Sequence, residues 1–380
     1  MDVTDDFGPF DGRTWINCSH QGPLPRVAVE AAQDAVNMKI TPHRMARSEV
    51  FTEVPLRLRE TLGQLVGVHP DDIILGNSAS YGLNVLANGV RWRDGDEILL
   101  VSEDFPATIF PWLPLRERGV RLRFIKPEGP RLDPTELESQ ITPATRLFCV
   151  TWVHSFTGYA IDETAIAQVC RRHNVMCVLN VSQGLGYRQM KPAEIGVDAI
   201  SSCGFKWLCG PYGTGFCWIR PELRDTLVYT QGYWLANLTA NDLRGDFAYE
   251  IRSDLGARAY DLFCTANFLN FMPWTKSVEF LLKCGIEKIE VHNHALASRL
   301  IDNVDRDRFE IHSPTGGPAR SSIVVLRHRG EGQTKRCFEV LKDQAIDVSL
   351  RKGSLRASPH LYNTERDIDR LVDVLNAFGR

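Results

Sequence analysis

The chain of 380 residues lacks any apolar run approaching the ~18 residues that a membrane-crossing helix requires. It has no CxxC pair and no regular cysteine spacing, which argues against a zinc ribbon, a thioredoxin-type redox centre and a disulfide scaffold. It has no basic excess: 44 Lys and Arg against 47 Asp and Glu leave a formal net charge of −3, so there is no electrostatic footprint for nucleic acid. Internal repeats, low-complexity tracts and flexible linkers are also missing. The opening MDVTDDFGPFDG is acidic where a secretory leader would be basic and then apolar, so the expectation is a cytoplasmic chain without a signal peptide. What is present is ordinary for a globular protein, with 43% hydrophobic and 24% charged residues. The ten cysteines mostly lie in apolar runs, as in RLFCVTWV and VMCVLNV, and read as buried free thiols in a reducing compartment. His292 and His294 form an HxH pair, but on an amphipathic helical pattern, which makes them structural rather than metal ligands.

From residue 70 onward short β-branched runs alternate with helical patterns. DIILG, EILLVS, RLRFIK, TRLFCVTWV and VMCVLNV read as strands, and SASYGLNVLANGV, DPTELESQI and ETAIAQVCRRHN as helices between them. That rhythm predicts βαβ units around a mainly parallel sheet with helices on both faces. The series breaks after GTGFCWIR. An irregular stretch through YTQGYWLANLTANDLRGDF leads to a long helical region over about 265–305, then to strand-like FEIHSP and SSIVVLRHR. A final helix carries Ile368, Leu371, Val372 and Leu375 at helical spacing, with Thr364 at its cap position. The expected organisation is an α/β large domain over 21–275 and a smaller α+β domain over 276–380, against which residues 1–20 pack.

Parallel sheets bind ligands beyond the carboxyl ends of their strands, and the residues just past each run are small or polar. NSAS at 77–80 opens a helix whose N-terminus suits a phosphate. EDFPATIFPW sends Phe105 into the same crevice; HSFTG and NVSQGLG follow the next strands. SSCGFKWLCGPYGTGF then sets Lys206 between apolar residues and glycine-rich turns. A desolvated lysine has a lowered pKa and is nucleophilic as the free amine, able to condense with an aldehyde. A phosphorylated planar aldehyde would use the helix N-terminus, the aromatic platform, the polar ring contacts and the amine together. Pyridoxal phosphate fits.

With NSASYGLNVLA, NVSQGLG, GFKWLCGPYGTGF and LRASPHLYNTERDID in that order, the chain resembles, nearly end to end, the aminotransferase class V and cysteine desulfurase-like family of pyridoxal-phosphate enzymes. It stands nearer to the isopenicillin N epimerase-like and selenocysteine lyase-like members. The resemblance implies the fold type I architecture and a homodimer with its active site at the subunit interface. Lys206 matches the lysine that holds the cofactor as a Schiff base, and Phe105 the ring-stacking position. Ser78, Ala79 and Ser80 match the phosphate turn, and Gln183 the glutamine on the phenolic oxygen. Thr265 resembles the threonine that reaches the neighbouring subunit's phosphate. Arg356 matches the arginine that grips the substrate carboxylate, with Ser155 beside it.

Three positions depart from the family pattern. Asn180 stands where an aspartate usually keeps the pyridine nitrogen protonated, so the electron sink is expected to be weaker. Cys203 replaces a phosphate-binding serine, and Phe205 a histidine. VSLRKGSLRAS also lacks the cysteine that a desulfurase uses to accept sulfur, and Cys337, on a helical pattern, does not replace it. These features favour β-elimination of C–S lyase type or epimerisation at the α-carbon of an amino acid. A true aminotransferase is the alternative, and a cofactor-poor binding or regulatory relative the further one.

Overall fold

Alternation decides the main sheet. Ile98, Leu100, Leu147, Cys149 and Val178 enter one apolar cluster, while Leu99, Phe148, Val150, Cys177 and Leu179 enter another on the opposite face. Both faces of these strands are covered, so both sets of positions are apolar. The structure is a computed structural model and describes residues 3–44, 49–238, 242–246 and 249–379.

A short strand β1 (Thr14–Trp15) stands apart. The seven-stranded sheet contains β2 (Ile73–Gly76), β3 (Glu97–Val101), β4 (Arg121–Ile125), β5 (Thr145–Thr151), β6 (Met176–Asn180), β7 (Ala199–Cys203) and β8 (Gly215–Ile219). Their order is β2-β8-β7-β6-β5-β3-β4, with β8 antiparallel to both its neighbours and the remaining pairs parallel. The reversal has a local cause. A parallel return needs a long crossover, usually helical, whereas the link 204–214 that carries Lys206 contains no helix.

A second sheet holds β9 (Phe309–Ile311), β10 (Val324–His328), β12 (Ser349–Arg351) and β13 (Ser354–Ala357), antiparallel throughout in the order β12-β13-β10-β9. β11 (Ile346–Asp347) pairs in parallel with β1, and Arg13 forms a 2.7 Å ion pair with Asp347. Ile16 enters the apolar cluster built by Leu296, Leu300, Phe309, Leu326 and the final helix. That helix, Glu365–Ala377, buries Ile368, Leu371, Val372 and Leu375, and Thr364 with Asp367 completes a capping box at its start.

The helical region expected over 265–305 is two helices, Phe268–Cys284 and Ile286–Asn303, divided at Gly285 with φ 88°. Of the irregular stretch before it, residues 239–241 and 247 lie outside the described residues. Eight of the ten cysteines are buried and all ten are free thiols. His292 Nε2 lies 3.0 Å from the Asn363 carbonyl. No helix among the described residues is long and apolar enough to cross a membrane.

Candidate active site

The strand ends converge on a cavity of about 530 Å³. A larger hollow of about 700 Å³, lined by Tyr81, Arg91, Trp92 and Arg118, carries none of the sequence-predicted residues. On one wall of the smaller cavity β2 ends at Gly76 and the helix Ala79–Gly89 begins. Ser78 caps that helix, its Oγ accepting from the Tyr81 N–H at 3.3 Å. Ser201 Oγ donates to the Ala79 carbonyl at 2.7 Å, which fixes the turn to β7. A Cβ at Gly215 would come within 2.5 Å of the Ser78 nitrogen, so only glycine lets β8 run this close. Ala79 and Ser80 line the cavity, and the amides of a helix's first turn have no intrahelical acceptor. The helix cap and this part of the cavity wall are therefore one turn, in which Ser78 caps the helix and also lines the cavity with Ala79 and Ser80.

Lys206 lies on the floor, 8% exposed. Among the described residues no hydrogen-bond acceptor or carboxylate meets its Nζ, which sits 5.0 Å from the Phe105 ring centroid and 5.9 Å from that of Phe205. Burial lowers the Lys206 pKa, Cys203 and Cys18 offset part of that, and the positive charges of Arg356 and Arg351 add to the lowering. The loop is pinned from outside by the N-terminal segment: Gly22 donates to the Phe205 carbonyl at 2.9 Å, and a Cβ at Gly22 would overlap the Lys206 carbonyl.

The opposite wall comes from the second sheet. Arg356, 3% exposed, donates to the Ser155 carbonyl at 2.9 Å and to Ser349 Oγ at 3.3 Å. Its Nε is buried without a partner, and no carboxylate pairs with it among the described residues. Burial and then Arg351 bring its pKa down to about 10. Among the described residues no aspartate or glutamate lines the cavity, whereas Lys206, Arg351 and Arg356 all do. The chamber is built for anions.

Between these walls lie Asn180 and Gln183. Asn180, at the end of β6 and 2% exposed, donates from Nδ2 to Thr108 Oγ1 at 3.1 Å and accepts at Oδ1 from the Ser182 N–H at 3.2 Å. Gln183 donates to the Ser19 carbonyl at 3.1 Å and Ser155 Oγ at 3.2 Å, and accepts from Trp207 Nε1 at 2.9 Å. Both its amide protons are engaged, so contact with a ligand oxygen requires sharing one of them. Cys203 lines the cavity, as does Phe205, whose ring lies 4.7 Å from that of Tyr212. Thr265 does not line it, and lies half-buried on the loop between Asp261 and the helix Phe268–Cys284. Ser19, His20, Gln21 and Arg351 also line the cavity. Sequence reasoning assigned them no role, although SHQG and VSLRKG contain them; only folding brings both segments to the lysine.

The residues fit pyridoxal phosphate. A free buried amine, an aromatic face half-exposed beside it, a helix N-terminus and unneutralised arginines correspond to aldehyde, ring, phosphate and substrate carboxylate.

The aminotransferase class-V family model matches residues 22–371. A probable cysteine desulfurase of Methanothermobacter thermautotrophicus is 25% identical over 337 residues, covering 83% of this chain and 82% of its own. Isopenicillin N epimerase of Streptomyces clavuligerus is 27% identical over 381 residues, covering 95% and 94%. The cystine C–S lyase C-DES, solved with its reaction product cysteine persulfide, shares the fold at a TM-score of 0.88 and 21% identity over 98% of this chain and 100% of its own. A C-DES mutant with glycine covalently linked to its cofactor gives a TM-score of 0.90 at 20% identity, covering 100% of both chains. The chain thus belongs to the aminotransferase class V family and is a pyridoxal-phosphate-dependent enzyme of fold type I.

Proposed function

We propose that this enzyme cleaves a small amino acid or cysteine-type conjugate by β-elimination of C–S lyase type, with epimerisation at the same α-carbon as the second reading. One observation carries the proposal: the unpaired Lys206 amine and an Arg356 guanidinium that meets no carboxylate face one cavity in which Cys203 is the only thiol among the described residues. Arg356 takes the substrate carboxylate in its planar fork, with Ser155 beside it. The free amine of Lys206 is the base for the α-proton. Phe105 would cover the cofactor ring, the turn at Ser78, Ala79 and Ser80 would hold its phosphate with Cys203 nearby, and Gln183 would meet its phenolic oxygen. Bound pyridoxal phosphate supplies an aldehyde for the amine and draws electrons from the α-carbon.

The segment 352–355 between the two arginines is Lys-Gly-Ser-Leu, and Cys337 is buried in the cluster of Leu296, Phe309 and the final helix. Sulfur cleaved here has no enzyme thiol on that loop to receive it and leaves with the product. That supports lyase chemistry over desulfuration, in keeping with the C–S lyase whose fold is shared. Epimerisation is kept because the epimerase relative covers 95% of the chain. The active unit is a homodimer: Thr265 lies outside its own cavity, beside the exposed side chains of Phe263 and Leu269, which supports service to a second copy.

The test is to load the protein with pyridoxal phosphate and assay a panel of amino acids for ammonia, 2-oxo acids and inverted stereochemistry. Ammonia with an equal amount of 2-oxo acid, or inversion, is expected. Lys206→Ala should lose both turnover and the visible absorbance of the bound cofactor. A 2-oxo acid formed without ammonia would replace the proposal with transamination, and a colourless protein that ignores the cofactor would replace it with the binding or regulatory reading.

A further inference from the structure

The aspartate missing at Asn180 has a counterpart two hydroxyls away. Asp104, just after β3, is 4% exposed and accepts three hydrogen bonds. Two come from Thr151, whose N–H reaches Oδ2 at 2.9 Å and whose Oγ1 reaches Oδ1 at 2.5 Å; the third comes from the Phe105 N–H at 2.6 Å. Burial raises the Asp104 carboxyl pKa; these donors, and His154 when it is protonated, oppose that shift without reversing it.

The carboxylate sets the direction of everything downstream. An ionised carboxylate only accepts, so Thr151 spends its single hydroxyl proton on Asp104. Thr108 Oγ1, 2.9 Å from Thr151 Oγ1, must then donate to it. With its own proton spent, Thr108 accepts from Asn180 Nδ2 at 3.1 Å. The Asn180 amide is thereby oriented with nitrogen toward Thr108 and Oδ1 toward the Ser182 N–H. The chain crosses three adjacent strand ends, β3, β5 and β6, with Thr151 and Asn180 in direct register. Thr108 is fully buried and Thr151 and Asn180 are 2% exposed, so little water competes along it.

We infer that Asp104 is a positioning residue for the cofactor: through Thr151 and Thr108 it orients and polarises the Asn180 amide, so that Oδ1 accepts from a protonated pyridine nitrogen. An amide that donates into an anion-terminated chain carries more negative charge on its oxygen. The carboxylate's own field acts in the same sense. The electron sink expected from an isolated Asn180 to be weak is thus maintained by a charge two strands away. This inference rests on the cofactor reading and says how the cavity tunes that cofactor.

Its test is the protonation state of the ring nitrogen, read by 15N NMR of ring-labelled pyridoxal phosphate bound to the protein. The wild type should show a protonated nitrogen at neutral pH. Thr108→Val removes one hydroxyl, keeps the shape and leaves the charge, while Asp104→Asn removes the charge. Each should shift the nitrogen toward the unprotonated signal and weaken cofactor affinity about 10-fold. Asp104→Asn combined with Asn180→Asp should restore the protonated signal, a rescue that a merely structural role for Asp104 does not predict. An unprotonated nitrogen in the wild type, or the same signal in wild type and both single variants, overturns the inference while leaving the cofactor reading intact. A chain that takes up no pyridoxal phosphate overturns both. If Asp104→Asn does not fold, Thr108→Val decides alone.

Discussion

Arg356 illustrates how one residue can burden the fold and serve the site. Its guanidinium is 3% exposed, keeps an Nε without a partner and meets no carboxylate among the described residues. A buried charge without a counter-ion destabilises the folded state. Replacing it by a neutral amide should therefore stabilise the empty protein while removing the grip on substrate. For Arg356→Gln we expect a gain of about 1 kcal/mol in denaturant unfolding. The loss of kcat/KM toward amino acids should be about 100-fold, the size of a lost charge-assisted contact of ~3 kcal/mol. Cofactor affinity should hardly move. A variant that is less stable than wild type, or equally active, would contradict this reading. The neighbouring residues mark what the sequence could disclose. That Lys206, Arg356 and the Ser78–Ser80 turn meet at one cavity was legible because each lies in a local motif. The pairing of Asn180 with Asp104 was not, because 76 positions separate them in the sequence and two threonines from different elements connect them.

At the scale of elements, the parallel strands and the final helix were legible because apolar periodicity is a property of short windows. The reversed direction of β8 and the break at Gly285 were less so, since both depend on how a link packs rather than on what it contains. The edge of the main sheet teaches the same lesson. β2 is an outermost strand, and an open edge exposes unpaired backbone groups. Here residues far along the chain cover it. Asp261 Oδ1 accepts from the Leu75 N–H at 2.8 Å, Leu262 donates to the Leu75 carbonyl at 2.9 Å, and Arg59 bonds both the Ile73 carbonyl and Asp261. Arg59 and Asp261 are 3% and 7% exposed, so removing either leaves a buried charge alone. Asp261→Ala should lower unfolding stability by about 3–5 kcal/mol. Asp261→Asn, which keeps an acceptor for Leu75, should lose less. Urea titration of the two variants checks the order, and equal losses would mean that the backbone contact, not the ion pair, governs the edge.

At the scale of the whole molecule, loops of the main sheet meet the C-terminal helices at a contact in which His294 lies. The residue lies in the helix Ile286–Asn303, its Nε2 buried without a partner, while Arg320 donates to its backbone carbonyl at 2.9 Å. Arg188, which follows β6 in the main-sheet half, reaches across to Glu290 at 3.6 Å and contributes positive charge at His294. Burial first, then Arg320 and Arg188, lower the His294 pKa from 6.5 to about 4. The folded protein therefore keeps this ring neutral at a pH where the unfolded chain protonates it. Since the unfolded state binds the extra proton, stability is complete above pH ~6.5 and falls as the pH drops toward ~4. The ring is only partly enclosed, so solvent screening reduces the effect to about 1 kcal/mol between pH 7.5 and 5. His294→Asn removes the titration but not the helix. Wild type should lose about 1 kcal/mol more than this variant over that interval in urea unfolding, and parallel pH profiles would show that the junction opens without sensing this histidine. The sequence offered only an HxH on a helix; burial, and then the arginines at positions 320 and 188, make one of its histidines acid-sensitive, and only the completed fold encloses it and sets them around it.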